Sequence, residues 1–275
     1  MKKSLSTLII IIVLCLASCN FMHDWPDDGL YFMRWESYHA YSIGEFPYLQ
    51  LAILAVHADN KKLELPEITE ISLISDKGEL PSTDFNVDIS NTQKDYAMIT
   101  IGVSLDDLPQ NEYTITGVRL VDNSGISNTY DIGTWFVQVS NEYSDSDLAY
   151  GKKTFYSSAF DMYTIEIINN TDSVIDISDL EFDIPNKQYS VQIKSSPSYD
   201  HIFDSNDMSI QPYSMRSFEF TYISNNMDVP SFSSLRPVLV YKINNVEKRT
   251  VLPTTIYSMV PKENEIKELA YELLQ

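Results

Sequence analysis

The sequence predicts an all-β fold: two antiparallel β-sandwich domains in tandem, closed by a short C-terminal α-helix. Three observations carry this. Short segments alternate apolar and polar residues with period two, as strands with one buried face do. Clusters of Asn, Asp, Ser and Gly separate these segments at roughly 8–12 residues, the rhythm of a sandwich or barrel. Helical period appears clearly only at the tail, where Ile266, Leu269, Ala270, Leu273 and Leu274 fall on one face.

The chain opens with Met1-Lys2-Lys3, then an uncharged apolar run from Leu5 to Leu16, then Leu16-Ala17-Ser18-Cys19. A basic start, an apolar stretch and small residues at a cut site describe an export signal over residues 1–18. The run is shorter than the ~20 residues of a spanning helix. Leu16-Ala17-Ser18-Cys19 resembles the bacterial lipobox, filled at every position. That resemblance implies cleavage before Cys19, a diacylglycerol on its thiol and usually a third acyl chain on the new amino group. Several chains hold a protein on a membrane where one binds only marginally. The expected address is therefore membrane-anchored and extracytoplasmic. Cys15 leaves with the signal, so Cys19 is the one cysteine the mature chain keeps and no disulfide forms within it.

Residues 19–29 read as a wet tether, with Asp24, Asp27 and Asp28 around Pro26. The first domain spans 30–140 and begins with a dense set of aromatics: Tyr31, Phe32, Trp35, Tyr38, Tyr41, Phe46 and Tyr48. Period alone does not decide between strand and helix here. Rings of this size usually serve a core, and core packing is the expectation. The alternative is an exposed aromatic platform, with Trp25, Tyr31, Trp35 and Tyr38 as candidate ligand-binding residues. Strands follow at Leu49 to Val56, Ile68 to Ile74, Phe85 to Ile89, Tyr96 to Val103, Tyr113 to Leu120 and Tyr130 to Val139. Asp76-Lys77-Gly78 and Asp122-Asn123-Ser124-Gly125 are the strongest turn signals.

Residues 141–153 lack periodicity and read as a linker. The second domain, 154–258, repeats the strand rhythm, turning at Asn169-Asn170-Thr171-Asp172 and at Asn244-Asn245. Residues 259–275 form the helix, expected to dock on this second domain, with a partner-binding helix as the alternative. The stretch from Tyr113 to Gly125, a tyrosine-led strand running into an Asp-x-x-Gly turn, resembles the late hairpin of bacterial immunoglobulin-like domains. The second series resembles immunoglobulin-like modules of cell-surface proteins. Both resemblances imply fold and carry no function.

The formal charge of −20 excludes nucleic acid as a partner and gives no attraction to anionic lipid. The membrane is reached through lipid on Cys19, and a protein or glycan partner is open. Acidity serves solubility first; calcium or a basic partner is the sharper reading. His23, His39, His57 and His201 show no metal-ligand spacing, and Asp200 to Asp207 lacks the order of a hand-type calcium loop. No nucleophile elbow or phosphate-cradling glycine loop appears. No catalytic residue, metal or cofactor is expected. The sequence thus points to a non-enzymatic binding or structural module at the bacterial cell envelope. The alternatives are a glycan-binding lipoprotein and a hydrolase whose site forms only in three dimensions.

Overall fold

The computed structural model describes residues 28–57, 67–90, 92–93, 95–143, 147–151, 154–157, 162–183, 189–196, 206–224, 232–258 and 265–274. Cys19 and Trp25 lie outside these residues. The first strand series is β1 (Gly29–Phe32), β2 (Trp35–Ser42), β3 (Tyr48–Val56), β4 (Ile68–Ser75), β5 (Gly78–Ser90), β6 (Tyr96–Leu105), β7 (Asn111–Asp122) and β8 (Ser127–Ser140). One layer runs β1-β3-β6-β5 and the other β4-β7-β8. Strand β5 belongs to both: its start pairs with β4 and its remainder with β6, across a register shift between Ser82 and Asp84. In chain order, β2 set aside, these layers match the A-B-E-D and C-F-G layers of immunoglobulin constant-type sandwiches. Tyr113, buried at the start of β7, donates its hydroxyl to Pro109 O at 3.0 Å. That is the tyrosine corner such sandwiches use to fix the strand before it.

The second series comprises β9 (Leu148–Tyr150), β10 (Thr154–Ser157), β11 (Met162–Asn169), β12 (Ile175–Glu181), β13 (Tyr189–Ser196), β14 (Ser209–Ile210), β15 (Met215–Ser224), β16 (Phe232–Arg236), β17 (Val238–Ile243), β18 (Val246–Val251) and β19 (Thr254–Ser258). Two four-stranded layers, β9-β11-β15-β13 and β14-β12-β17-β18, enclose a second core around Tyr163, Phe218, Phe220 and Tyr241. Apart from the edge strand β14, their order is again A-B-E-D and C-F-G. Residues 141–153, expected as a linker, include β9, an edge strand of this second sandwich.

The two sandwiches share one sheet of 11 strands, which runs from the first sandwich through β8-β2-β16-β19-β10. Strand β2 lies between β8 and β16 and is parallel to both. Its two faces feed different cores: Trp35 and Tyr41 sit in the first, Tyr38 and Ala40 in the second. This is why the aromatic segment reads ambiguously in sequence. A strand buried on both faces loses the polar half of its alternation.

The second sandwich reaches β2 by bending its last hairpin. Strands β16 and β17 are separated by Pro237, and β18 and β19 by Leu252-Pro253. Arg236 and Pro237 face Leu252, Pro253 and Thr254, so two residues oppose three, as in a bulge. The prolines offer no N–H to a ladder, and Leu252 N–H still finds Pro237 O at 2.9 Å. Beyond the bend, β16 and β19 leave their own sandwich and join the first.

Helix α1 (Ile266–Glu272) packs Ile266 and Ala270 into the first core, with Leu269 and Leu273 alongside. The expectation that it docks on the second domain is thereby corrected. The apolar stripe was readable; its destination was set by the chain path, because β19 delivers the tail beside β16 and the first core.

Gly133 lets β2 approach β8. It sits at φ +79°, opposite Trp35, and a Cβ built there would run into the Trp35 backbone. Gly125 has the same φ of +79° with open space around the same position. Gly125→Ala is expected to cost about 1–2 kcal/mol from backbone strain alone. Gly133→Ala should exceed it by about 1–3 kcal/mol, the range of overpacking in a closed site. Urea titration of both variants measures this, and equal costs would show that β2 and β8 are not in close backbone contact.

Candidate functional site: a cleft between the two sandwiches

Where β2, β8, β12, β13 and β18 meet, the sandwiches leave a cleft of about 470 Å³. That is within the roughly 300–1,000 Å³ of ordinary ligand pockets. Tyr38, Gln138, Glu142 and Tyr143 come from the first strand series and its exit; Glu181, Phe182, Asp183, Tyr189 and Arg249 come from the second. Neither sandwich has this wall set alone.

Tyr38 forms the floor. Its ring stacks on Phe136 at 6.0 Å and its hydroxyl donates to Gln138 Oε1 at 2.6 Å. Burial pushes the Tyr38 phenol far up, and pushes Tyr143 and Tyr189 to about 12. All three therefore stay protonated and uncharged across the physiological range. Phe182 meets Tyr189 at 5.4 Å and 43° and Tyr222 at 4.9 Å and 69°, so these rings stand at angles to one another. Arg249 is held by both oxygens of Glu181, at 3.2 and 3.3 Å, and by Glu247 at 3.1 Å. Pairing with Glu181 holds the guanidinium above its usual range.

Asp147 stands just ahead of β9. It accepts from Tyr241 Oη at 2.8 Å and from Lys248 Nζ at 2.7 Å. The Lys248 hydrogen bond leads the effects that keep its carboxyl below the usual range.

The opposite face of β2 carries a buried polar seam. Ser233 Oγ donates to Glu36 O at 2.6 Å, and Ser234 N–H donates to Ser37 Oγ at 3.0 Å. His39, 2 % exposed, has Nε2 2.8 Å from Ser234 Oγ and Nδ1 3.0 Å from Tyr41 Oη. The one Tyr41 hydroxyl proton goes to Tyr48 O at 3.0 Å. His39 must then carry its ring proton on Nδ1 and accept from Ser234 at Nε2. Arg236 lies 4.3 Å over the Tyr41 ring and pairs with Glu45 at 2.8 Å. Burial, then the Arg236 charge, lower His39 to about 3, so it is neutral at any ordinary pH.

Of the four candidate platform residues, Trp25 lies outside the described residues and the other three are buried. Tyr31, Trp35 and Tyr38 are 9, 3 and 2 % exposed, and a ring in a core has no face to offer a sugar. Of these three, Tyr38 borders the cleft. Asn169 is fully buried: Nδ2 donates to the Ser173, Ile210 and Gln211 carbonyls at 2.8, 3.0 and 3.1 Å, and Oδ1 accepts from Thr171. It is a structural side chain in a glycosylation-like triplet. His57 is buried at the end of β3, and Asp207 is occupied by Ser209 and Arg216. His23 and His201 lie outside the described residues. Among the described residues, no three His, Cys, Asp or Glu side chains gather as a metal site, and no helix is long and apolar enough to cross a membrane. Tyr143, Phe182, Tyr189 and Arg249 escaped the sequence reading because four separate segments bring them together.

No family model and no curated protein matches this chain. Among solved structures, a protein of unknown function from Porphyromonas gingivalis W83 is similar at 6 % identity and a TM-score of 0.24, covering 84 % of this chain and 99 % of its own. The fibronectin(III)-like modules of Clostridium thermocellum CbhA follow at 8 % and 0.23, covering 84 % and 93 %. The C-terminal domain of the Streptococcus agalactiae AgI/II polypeptide BspA stands at 9 % and 0.21, covering 84 % and 99 %. Likenesses this slight carry no argument, and the architecture rests on the strand order itself.

The seam predicts a pH dependence. His39 is lowered from 6.5 to about 3 in the fold, so the unfolded chain binds its proton more readily. Stability from this group is complete above the unfolded value and is lost as pH falls from 6.5 toward 3. The loss is about 1.4 kcal/mol per pH unit, or roughly 2 kcal/mol by pH 5. His39→Asn should flatten the stability–pH curve between pH 6.5 and 5 relative to the parent. Parallel curves would place the imidazole in a wetter site.

Proposed function

We propose that this chain is a lipid-anchored, extracytoplasmic binding protein. Two immunoglobulin-like sandwiches, welded by a shared strand, hold a ligand in the cleft between them. The observation that carries this is the composition of the cleft: rings and carboxylates from both sandwiches line one cavity. Directed polar groups are how binding sites fix a ligand's orientation. The anchor reading rests on the lipobox-like Leu16-Ala17-Ser18-Cys19. The acidic body adds nothing to membrane attachment, so the acyl chains would act alone.

One experiment in intact cells addresses both halves. A photo-crosslinking amino acid at Tyr143 should give a discrete adduct, and the same group at exposed Val246 should not. Cys19→Ser should leave the protein unlipidated, release it from membranes after a salt wash and remove the adduct. Identical crosslinking from both positions would end the cleft reading. Full membrane retention of the Cys19→Ser protein, with its signal removed, would end the anchor reading.

A further inference from the structure

We infer that the cleft takes a cationic side chain, a lysine or arginine of a basic partner protein; this rests on the cleft being the binding site. Three carboxylates, Glu142, Glu181 and Asp183, line it against one guanidinium. That guanidinium is already paired twice, to Glu181 and to Glu247. Glu142 and Asp183 are exposed at the rim, where their charge reaches an incoming ligand. The walls are aromatic, and a ring face attracts a cation through its quadrupole. Rings that enclose a cation stand at angles to one another, whereas a sugar stacks on a flat exposed face. Phe182 and Tyr189, which both line the cleft, are tilted by 43° to one another and so present no flat platform. The phenol of Tyr143 stays neutral and offers oxygen lone pairs to an ammonium or guanidinium, while Tyr189 contributes its ring to the lining. A body of formal charge −20 steers basic partners toward it and repels acidic ones.

The test uses the full chain in detergent and fluorescent pentapeptides of glycines around a central Arg, Lys, Gln or Glu, read by anisotropy. The Arg and Lys peptides should bind at least tenfold more tightly than the Gln peptide, and the Glu peptide should not bind. Affinity should fall as salt is raised. Tyr143→Ala or Tyr189→Ala should weaken the Arg peptide about 2- to 30-fold, the span of one cation–π contact, while Tyr→Phe at either site retains most of it. Glu142→Gln and Asp183→Asn, at exposed positions that the fold does not need, should each weaken it as well. Asp88→Asn, on the first sandwich, should not. Equal affinity for Arg and Gln peptides, lost on Tyr143→Ala, would overturn the cation assignment and leave the cleft standing as a site for neutral ligands, saccharides included. Arg-peptide binding indifferent to all four cleft changes would overturn it as diffuse attraction to an acidic surface. Absence of binding by any peptide overturns the cation inference; only together with identical crosslinking from Tyr143 and Val246 does it overturn the cleft.

Discussion

Strand β2 must satisfy two cores at once, and the rest of the molecule is arranged around that demand. Its odd positions carry Trp35, Ser37, His39 and Tyr41 toward the first sandwich, and its even positions carry Tyr38 and Ala40 toward the second. Both edges are paired, to β8 and to β16. Ser37 and His39 are buried on this strand, so each must find a partner within the protein. Ser37, His39, Ser233 and Ser234 do so among themselves and with the backbone. Leaving one of these groups without its partner would cost about 1–3 kcal/mol.

Bringing a second sandwich to the far edge of β2 requires the last hairpin to serve two sheets. Pro237 and Pro253 stand where a ladder could not continue through them, and the bend falls there. Tyr163, from the core of the second sandwich, donates to Pro253 O at 2.9 Å and ties the bend to that core. The cleft is a by-product of the same geometry. Two twisted sandwiches joined along one strand cannot stay flush along their flanks, and the gap beside Tyr38 is where they part. A rigid junction gives that gap fixed walls, so a bound group would meet a site formed in advance.

Much of this was legible in the sequence. Asn244 and Asn245 both take positive φ, 53° and 64°, as the tight turn between β17 and β18 demands. Asp122 accepts three hydrogen bonds from Ser124 and Ile126 in the turn its sequence announces. The tyrosine-led strand at Tyr113 is the corner of its sandwich. Asn169, the first residue of an expected turn cluster, instead ends β11 in ordinary strand geometry and works through its side chain. The shared sheet was hidden, because pairings such as Leu235 with Tyr38 join residues that no local pattern connects. The cleft was hidden for the same reason, with Tyr143 placed in an expected linker.

The claim on which everything rests is that the two sandwiches open as one unit through β2. Native-state hydrogen exchange under increasing denaturant measures it directly. Amides of β3 and β6 report the first core and amides of β11 and β15 the second. If β2 welds the cores, both sets should merge onto a single opening free energy, and Ser234→Ala in β16 should lower both together. If β11 and β15 open well before β3 and β6, and Ser234→Ala lowers only the second set, the sandwiches are separate domains in contact and this description of the fold fails.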